Sequence, residues 1–227
     1  LNISDKKQID LVKKKIKKNN IKINVMQSVF YNFKIKKKYE TDLDFFYTKS
    51  IEHFGKIVKI CNIFHIPKIS LGNIPTRKLR LSKKKISNFN SKIIKIFLSL
   101  CKRNNIQLCL EPISKRFNCN FLNDTKKTVK FINNLNHQNL RLLFDSGNVE
   151  ENNQNVLNLL KKNLGIIGHI QIRSKNPKNY SLNKITQLLN LLEKNNYKKT
   201  VTIEYFSKKN FYKFEKLVIF LKKNYNT

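Results

Sequence analysis

Short apolar runs alternate with longer amphipathic stretches along the whole chain. The runs are continuously apolar, a pattern typical of parallel strands that are buried on both faces. They predict strands at residues 21–30, 68–72, 106–111, 140–145, 165–173 and 200–206. The stretches between them carry apolar residues at helical spacing. They predict helices at residues 1–19, 43–64, 84–104, 125–136, 153–163, 181–195 and 210–225.

An opening helix followed by six strand–helix units predicts an α/β fold. A TIM (β/α)8 barrel allots roughly 31 residues to each unit, which matches the spacing here. An open doubly wound sheet is the alternative, but no glycine-rich turn follows a strand to hold a phosphate. We therefore expect one barrel domain over residues 1–227 that lacks its first two strands at the N-terminus. The chain begins with Leu1, so we also expect it to be a fragment.

Four polar residues lie at the ends of predicted strands, at Glu111, Asp145, Gln171 and Glu204. The C-terminal ends of barrel strands meet at one mouth, where catalytic groups cluster. Three carboxylates and one amide oxygen are the ligands of a hard divalent cation. Two of these residues also have a structural alternative. Asp145 is able to cap a turn, and Gln171 is able to serve as a hydrogen-bonded amide in the core.

The chain has a formal net charge of +33, which raises the possibility of nucleic-acid binding. The lysines are spread along the whole sequence together with Asn and Ile, as an AT-rich genome would impose, and Arg is scarce. We therefore expect no nucleic-acid partner. No apolar run is long enough to span a membrane and no signal peptide is evident, so a cytoplasmic location without membrane contact is expected. The sequence leaves open whether the protein forms a homo-oligomer.

The four cysteines, at positions 61, 101, 109 and 119, show no CxxC spacing. Cys101 and Cys109 lie within apolar runs. We therefore expect buried thiols and neither a zinc site nor a disulfide.

Residues 107–206 resemble the sugar phosphate isomerase/epimerase superfamily, the xylose isomerase-like TIM barrels that include ketose 3-epimerases and hydroxypyruvate isomerase. The resemblance is carried by the order of four motifs: Glu-Pro at 111, Asp-x-Gly at 145, His-x-Gln at 169 and Ile-Glu at 203.

The resemblance implies that Glu111, Asp145, Gln171 and Glu204 bind one divalent metal ion, Mn²⁺ or Mg²⁺, with Co²⁺ as a further candidate. Many relatives have His at the position of Gln171, whereas the hydroxypyruvate isomerase branch is similar to this chain. A neutral amide oxygen in place of an imidazole favours Mg²⁺ or Mn²⁺ over zinc.

Two positions depart from the pattern of the relatives. Asn148 stands where they often have a substrate-contacting His, and Phe117 where ketose 3-epimerases have a Glu. The substrate is therefore not assigned from those enzymes. Three residues near the strand ends are candidate substrate contacts, namely His169, Asn148 and Arg173. For His169, a place in the core or behind the ligands is the alternative.

The predicted activity is a metal-dependent isomerisation or epimerisation of a small sugar, sugar phosphate or hydroxy-keto acid through an enediolate. Glu111 and Glu204 are the predicted catalytic pair, which removes a proton next to a carbonyl and returns it. A non-catalytic sugar-binding barrel is the first alternative. An abasic-site endonuclease similar to endonuclease IV is the second, although four scattered histidines do not suggest its multi-metal site.

Overall fold

The computed structural model describes residues 5–31, 33, 42–72, 82–117, 119, 121–174, 181–204 and 211–224. The chain divides into two compact units, residues 1–143 and 144–227. The expectation of one domain over the whole chain stays a prediction.

The described residues of the first unit form three parallel strands and four α-helices. Its elements are α1 (Lys6–Lys18), α2 (Leu43–Ile63), β1 (Lys68–Leu71), α3 (Lys83–Arg103), β2 (Gln107–Leu110), α4 (Thr125–Leu135) and β3 (Leu140–Asp145), whose last two residues belong to the second unit. Strand β2 lies between β1 and β3, and both pairings are parallel. Each strand follows a helix, as the alternating pattern predicts.

The core of the first unit forms where α2 and α3 bury their apolar faces. The rings of Phe54 and Phe97 stack with their centroids 4.0 Å apart, and both side chains are fully buried. Leu108 and Leu110 of β2 are also inaccessible to solvent. Burial of consecutive residues such as Leu108 and Cys109, which point to opposite faces of the strand, explains why its sequence is continuously apolar.

Side-chain caps fix where several helices begin. The carboxylate of Asp124 accepts a hydrogen bond from the N–H of Lys127 at the start of α4, at 2.8 Å. The hydroxyl of Ser181 accepts one from Lys184 at the start of α7 (Leu182–Lys194). Both caps confirm the sequence prediction, since these side chains satisfy backbone donors that have no partner inside the helix.

The second unit begins with the end of β3 and continues through two further strands. Its elements are α5 (Ser146–Glu151), α6 (Val156–Asn163), β4 (Ile167–Ile172), α7, β5 (Val201–Ile203) and α8 (Phe211–Asn224). Strands β4 and β5 are parallel and in register at Gln171 and Thr202. Every residue of β4 is buried. None of the described helices is long and apolar enough to cross a membrane.

Two predicted elements differ from the structure. The strand expected at residues 21–30 is reduced to one bridge between Met26 and Ile69, because the chain turns away at Ser28, whose φ is 52°. The helix expected at residues 153–163 is shorter and begins at Val156. A separate helix, α5, precedes it and starts directly at the end of β3.

Candidate active site

Asp145 is the last residue of β3 and caps α5. Its Oδ1 accepts a hydrogen bond from the backbone N–H of Asn148 at 2.7 Å. Only 2% of its surface is accessible to solvent. The capping role that the sequence left open is therefore present, and it fixes the side chain while its second oxygen, Oδ2, faces another partner.

That partner is Arg173, the first residue after β4. Its Nε donates to Asp145 Oδ2 at 3.2 Å, its Nη1 to Glu151 Oε1 at 3.1 Å, and its Nη2 to Asn148 Oδ1 at 3.1 Å. Its Nε also lies 3.8 Å from Glu204 Oε2. All three nitrogens of the guanidinium are therefore engaged within the second unit. We call Asp145, Asn148, Glu151 and Arg173 the ion-pair cluster.

The backbone around the cluster is adapted to it. The Ser146 hydroxyl accepts a hydrogen bond from the N–H of Arg173 and donates one to its carbonyl, at 2.9 and 2.7 Å. A side chain at Gly147 would collide with the guanidinium, because a Cβ there would lie 2.7 Å from Arg173 Cζ. The end of β4 is thus attached to the first turn of α5 through both backbone and side chain.

Charges in the cluster are shielded from water. Burial raises the pKa of Asp145, and the guanidinium of Arg173 and the Asn148 N–H oppose part of that rise. For Arg173, burial acts to lower the pKa, but the neighbouring carboxylates of Asp145 and Glu151 outweigh it and raise the pKa above its ordinary value. The arginine therefore remains positively charged.

Glu204 follows β5 and completes the acidic groups near Arg173. Its backbone N–H donates to the carbonyl of Ile172, which sets its position beside the end of β4. Its side chain is 29% accessible to solvent. Burial raises the pKa of Glu204 to about 7, and the nearby Asp145 carboxylate adds to the rise while Arg173 opposes it. Of the two predicted ligands near Arg173, Glu204 is therefore more accessible to solvent than Asp145. With a pKa of about 7, its carboxyl group is present in both protonation states near neutral pH.

Gln171 and His169 lie in β4 and share one face of the strand with Arg173, because alternate residues of a strand point the same way. His169 is fully buried, and its Nε2 lies 3.0 Å from the hydroxyl of Thr202. Gln171 is 1% exposed, and its Oε1 has no hydrogen-bond partner among the residues that the structure describes. A buried carbonyl oxygen without a partner is costly, so this atom indicates a place for a ligand.

Glu111 lies in the first unit, directly after β2, and is half-buried. The Ser70 hydroxyl at the end of β1 donates to its Oε2 at 3.1 Å. Gly72 leaves room for the same atom, because a Cβ there would lie 2.9 Å from it and 2.8 Å from Ile113. The sequence predicted Glu111 without identifying Ser70 and Gly72 as the residues that orient it.

The second unit therefore brings together Asp145, Arg173, Glu204 and Asn148 from the predicted set. Sequence reasoning missed Ser146, Gly147 and Glu151. The spacing of Asp145, Asn148 and Glu151 at intervals of three residues is the indication that the sequence offers, since residues three apart lie on one side of a helical turn. The Asp-Ser-Gly-Asn sequence at residues 145–148 favours a turn, and for this reason the sequence pattern did not predict helix α5.

The residues present fit a divalent cation in two respects. Three carboxylates, those of Asp145, Glu151 and Glu204, surround one guanidinium, that of Arg173. When all three carboxylates are ionised, these four side chains together carry a net charge of two negative units. The unpartnered Gln171 oxygen adds a neutral hard donor. Within the described residues, no three His, Cys, Asp or Glu side chains are already grouped as a metal site. Asp145 and Glu151 each pair with the guanidinium.

Solved structures of several enzymes and other proteins resemble this chain at low sequence identity, which establishes the fold and not the activity. The 3-keto-D-glucoside 4-epimerase from E. coli is 14% identical with a TM-score of 0.75, over 96% of this chain and 85% of that one. An AP endonuclease of family 2 from Brucella melitensis is 15% identical with a TM-score of 0.69, over 88% and 78%.

The IolI protein, solved with a bound zinc atom, is 16% identical with a TM-score of 0.63, over 97% of this chain and 81% of that one. No curated protein matches the chain in sequence. A family model described as xylose isomerase-like TIM barrel matches residues 2–223. Because that match covers nearly the whole sequence, the chain belongs to the xylose isomerase-like TIM barrel family.

Proposed function

We propose that the protein is a divalent-metal-dependent isomerase or epimerase of a small sugar, sugar phosphate or hydroxy-keto acid. The observations that carry this proposal are the positions of Asp145, Gln171 and Glu204 at or next to the ends of three successive strands, and the buried Gln171 Oε1, which has no hydrogen-bond partner among the described residues. These are oxygen donors of the kind that Mn²⁺ and Mg²⁺ prefer. The epimerase and the zinc-bound protein among the structural neighbours support the same class.

Asp145, Gln171 and Glu204 would hold the ion, and Glu111 is proposed as the fourth ligand on the resemblance of its motif to that of the relatives. A divalent cation bound there supplies positive charge to balance the charge that develops on the substrate oxygens. Co²⁺ remains a candidate beside Mn²⁺ and Mg²⁺.

Glu204 and Glu111 are the proposed proton carriers. Glu204 is the better exposed of the two predicted ligands near Arg173, so a substrate is able to reach its carboxylate. The Glu204 carboxylate takes a proton from the carbon next to the substrate carbonyl, and Glu111 in its protonated form returns one to the resulting enediolate. Proton exchange with solvent then restores both side chains to their starting states. The hydrogen bond from the Ser70 hydroxyl to Glu111 Oε2 orients this carboxylate.

His169 is proposed to orient the substrate or the Gln171 side chain, which lies on the same face of β4. Asn148 and Arg173 were also predicted to contact substrate. Their side chains are buried and bonded within the ion-pair cluster, so we propose that they act on the substrate through Asp145.

Hydrogen exchange with solvent tests this function for every substrate of the proposed class. Ketoses, ketose phosphates and hydroxy-keto acids would be incubated with the protein and Mn²⁺ in heavy water and examined by proton NMR. We expect exchange at the carbon next to the carbonyl, together with an isomeric product. Glu204→Gln and Glu111→Gln should each slow the exchange by about 100-fold or more. Glu150→Gln is the matched control, because Glu150 forms a surface ion pair with Lys184.

Absence of exchange across the panel, in folded protein that binds the metal, would contradict the proposal. Sugar binding without exchange would then favour a non-catalytic sugar-binding barrel. An abasic-site endonuclease is less well supported, because the His53, His137 and His169 rings already contact Val29, Asn139 and Thr202. Cleavage of abasic DNA by the purified protein would restore that alternative.

A further inference from the structure

We propose that Arg173 is a positioning residue for Asp145 and that Glu151 is the anchor which keeps Arg173 in that role. This inference rests on the proposed function, in which Asp145 binds the divalent ion. It assigns a role to Glu151, which no sequence motif identified, and gives Arg173 a role other than direct contact with substrate.

The geometry of Asp145 leaves its side chain little freedom. Its Oδ1 accepts from the Asn148 N–H and its Oδ2 from Arg173 Nε. Each carboxylate oxygen is able to accept more than one interaction, so both oxygens keep a lone pair for a metal. The two hydrogen bonds therefore orient the Asp145 carboxylate and leave it able to bind a metal ion. Residues that hydrogen-bond to metal ligands commonly act in this way.

Glu151 determines which carboxylate the guanidinium faces. Its Oε1 accepts from Arg173 Nη1 at 3.1 Å, and its side chain is only 2% exposed. Glu204 Oε2 lies 3.8 Å from Nε, just beyond hydrogen-bond distance. Besides Asp145 and Glu151, the described ion pairs of this guanidinium include Glu204, and without Glu151 the guanidinium is able to turn toward it. Glu151 thus keeps Glu204 available for the metal and the substrate.

The surrounding residues favour one arrangement of this arginine. Ser146 binds both backbone polar groups of Arg173, and Gly147 provides the space for its guanidinium. A planar group with several fixed donors matches three acceptors in a way that lysine cannot. The 8% exposure of the Arg173 side chain leaves little surface for a substrate.

Mn²⁺ affinity, measured by calorimetry and by electron paramagnetic resonance, tests this role. We expect Arg173→Ala to weaken binding by about 10–100-fold, the range found when partners of metal ligands are removed. Millimolar guanidinium chloride should restore part of the affinity, whereas the same concentration of sodium chloride should not. The Arg173→Lys variant should still bind Mn²⁺ weakly, because lysine restores the positive charge without the planar geometry of the guanidinium. Arg141→Ala is the control, since Arg141 bonds only to the carbonyl of Leu140 in the hydrogen bonds described.

Glu151→Ala provides an independent test if Arg173→Ala does not fold. It should also weaken Mn²⁺ binding, while Glu150→Ala should not, because the neighbouring Glu150 pairs with Lys184. Affinity equal to or above that of the wild type in both Arg173→Ala and Glu151→Ala would overturn the inference, because removal of a nearby positive charge would then be the only effect of Arg173.

Failure of the proposed function gives a different result. If the wild-type protein binds no Mn²⁺, the metal-dependent activity is refuted, and the positioning role is judged on the metal-free protein. The Arg173 Nε–H should then give a slowly exchanging NMR signal that is lost in Glu151→Ala and kept in Glu150→Ala. Rapid exchange in the wild type would overturn the role of Glu151 as well.

Discussion

Replacing Gly147 with alanine would place a methyl group against the Arg173 guanidinium. The new Cβ would lie 2.7 Å from Cζ, 2.9 Å from Nε and 3.0 Å from Nη2 of that residue. Flexible side chains often move out of the way, but this one is buried and bonded to Asp145, Glu151 and Asn148. The guanidinium therefore has to give up at least one of these bonds.

Three contributions determine the change in the free energy of unfolding of Gly147→Ala. Overpacking of a filled site costs about 1–3 kcal/mol, and loss of a hydrogen bond to a charged group costs about 1.5–3 kcal/mol. Alanine in place of glycine in α5 returns about 1 kcal/mol of helix propensity. We expect a net loss of about 3 kcal/mol in the free energy of unfolding. For a chain of this size, that corresponds to a decrease of about 6–12 °C in melting temperature.

Gly55→Ala is the matched control. Gly55 lies within α2, and a Cβ there would meet no atom within 4 Å. The same exchange should therefore stabilise the protein by up to about 1 kcal/mol. Urea unfolding followed by circular dichroism compares both variants with the wild type. If Gly147→Ala were as stable as Gly55→Ala, the tight placement of Arg173 and the argument from it would be refuted.

Three further predictions concern the space at Gly72, the protonation of Glu204 and the buried cysteines. Gly72→Ala should lower the exchange activity, because a Cβ would displace Glu111 Oε2 or Ile113; unchanged rates of solvent exchange would contradict this. The pKa of Glu204 rises on folding from about 4.5 to about 7, so metal-free protein should lose on the order of 1–2 kcal/mol of stability between pH 5 and 8. Urea unfolding across that range should show the decrease in the wild type and a smaller one in Glu204→Gln. Finally, burial raises the pKa of the Cys61 and Cys101 thiols to about 12, so both should resist Ellman's reagent until the protein is unfolded.

Periodicity was sufficient to predict most of the fold. Continuous apolar runs located the five strands that the described residues form, and the caps at Asp124 and Ser181 located two helix starts. The predicted family and its parallel α/β fold are confirmed by the match of the family model. The pattern failed at residues 21–30, where the apolar residues range from exposed at Ile21 to buried at Phe30 and only Met26 pairs with a neighbouring strand. Periodicity alone does not separate such a segment from a fully buried strand.

The candidate site was predictable only in part. Strand ends located Asp145, Gln171 and Glu204, because the fold requires polar residues there to have a partner or a function. The buried role of Glu151 depends on a contact with Arg173, 22 residues further along the chain, which local spacing does not contain. The four-ligand set and the catalytic pair stay predictions.

Titration of the metal-free protein with Mn²⁺ by calorimetry tests whether Asp145 and Glu204 belong to a divalent-metal site. One ion per chain is expected, with binding weakened by at least about tenfold in Asp145→Asn and Glu204→Gln. Glu150→Gln should leave the affinity unchanged. Failure of the folded wild-type protein to bind Mn²⁺, Mg²⁺ or Co²⁺, or equal affinity in all three variants, would contradict a divalent-metal site at these residues.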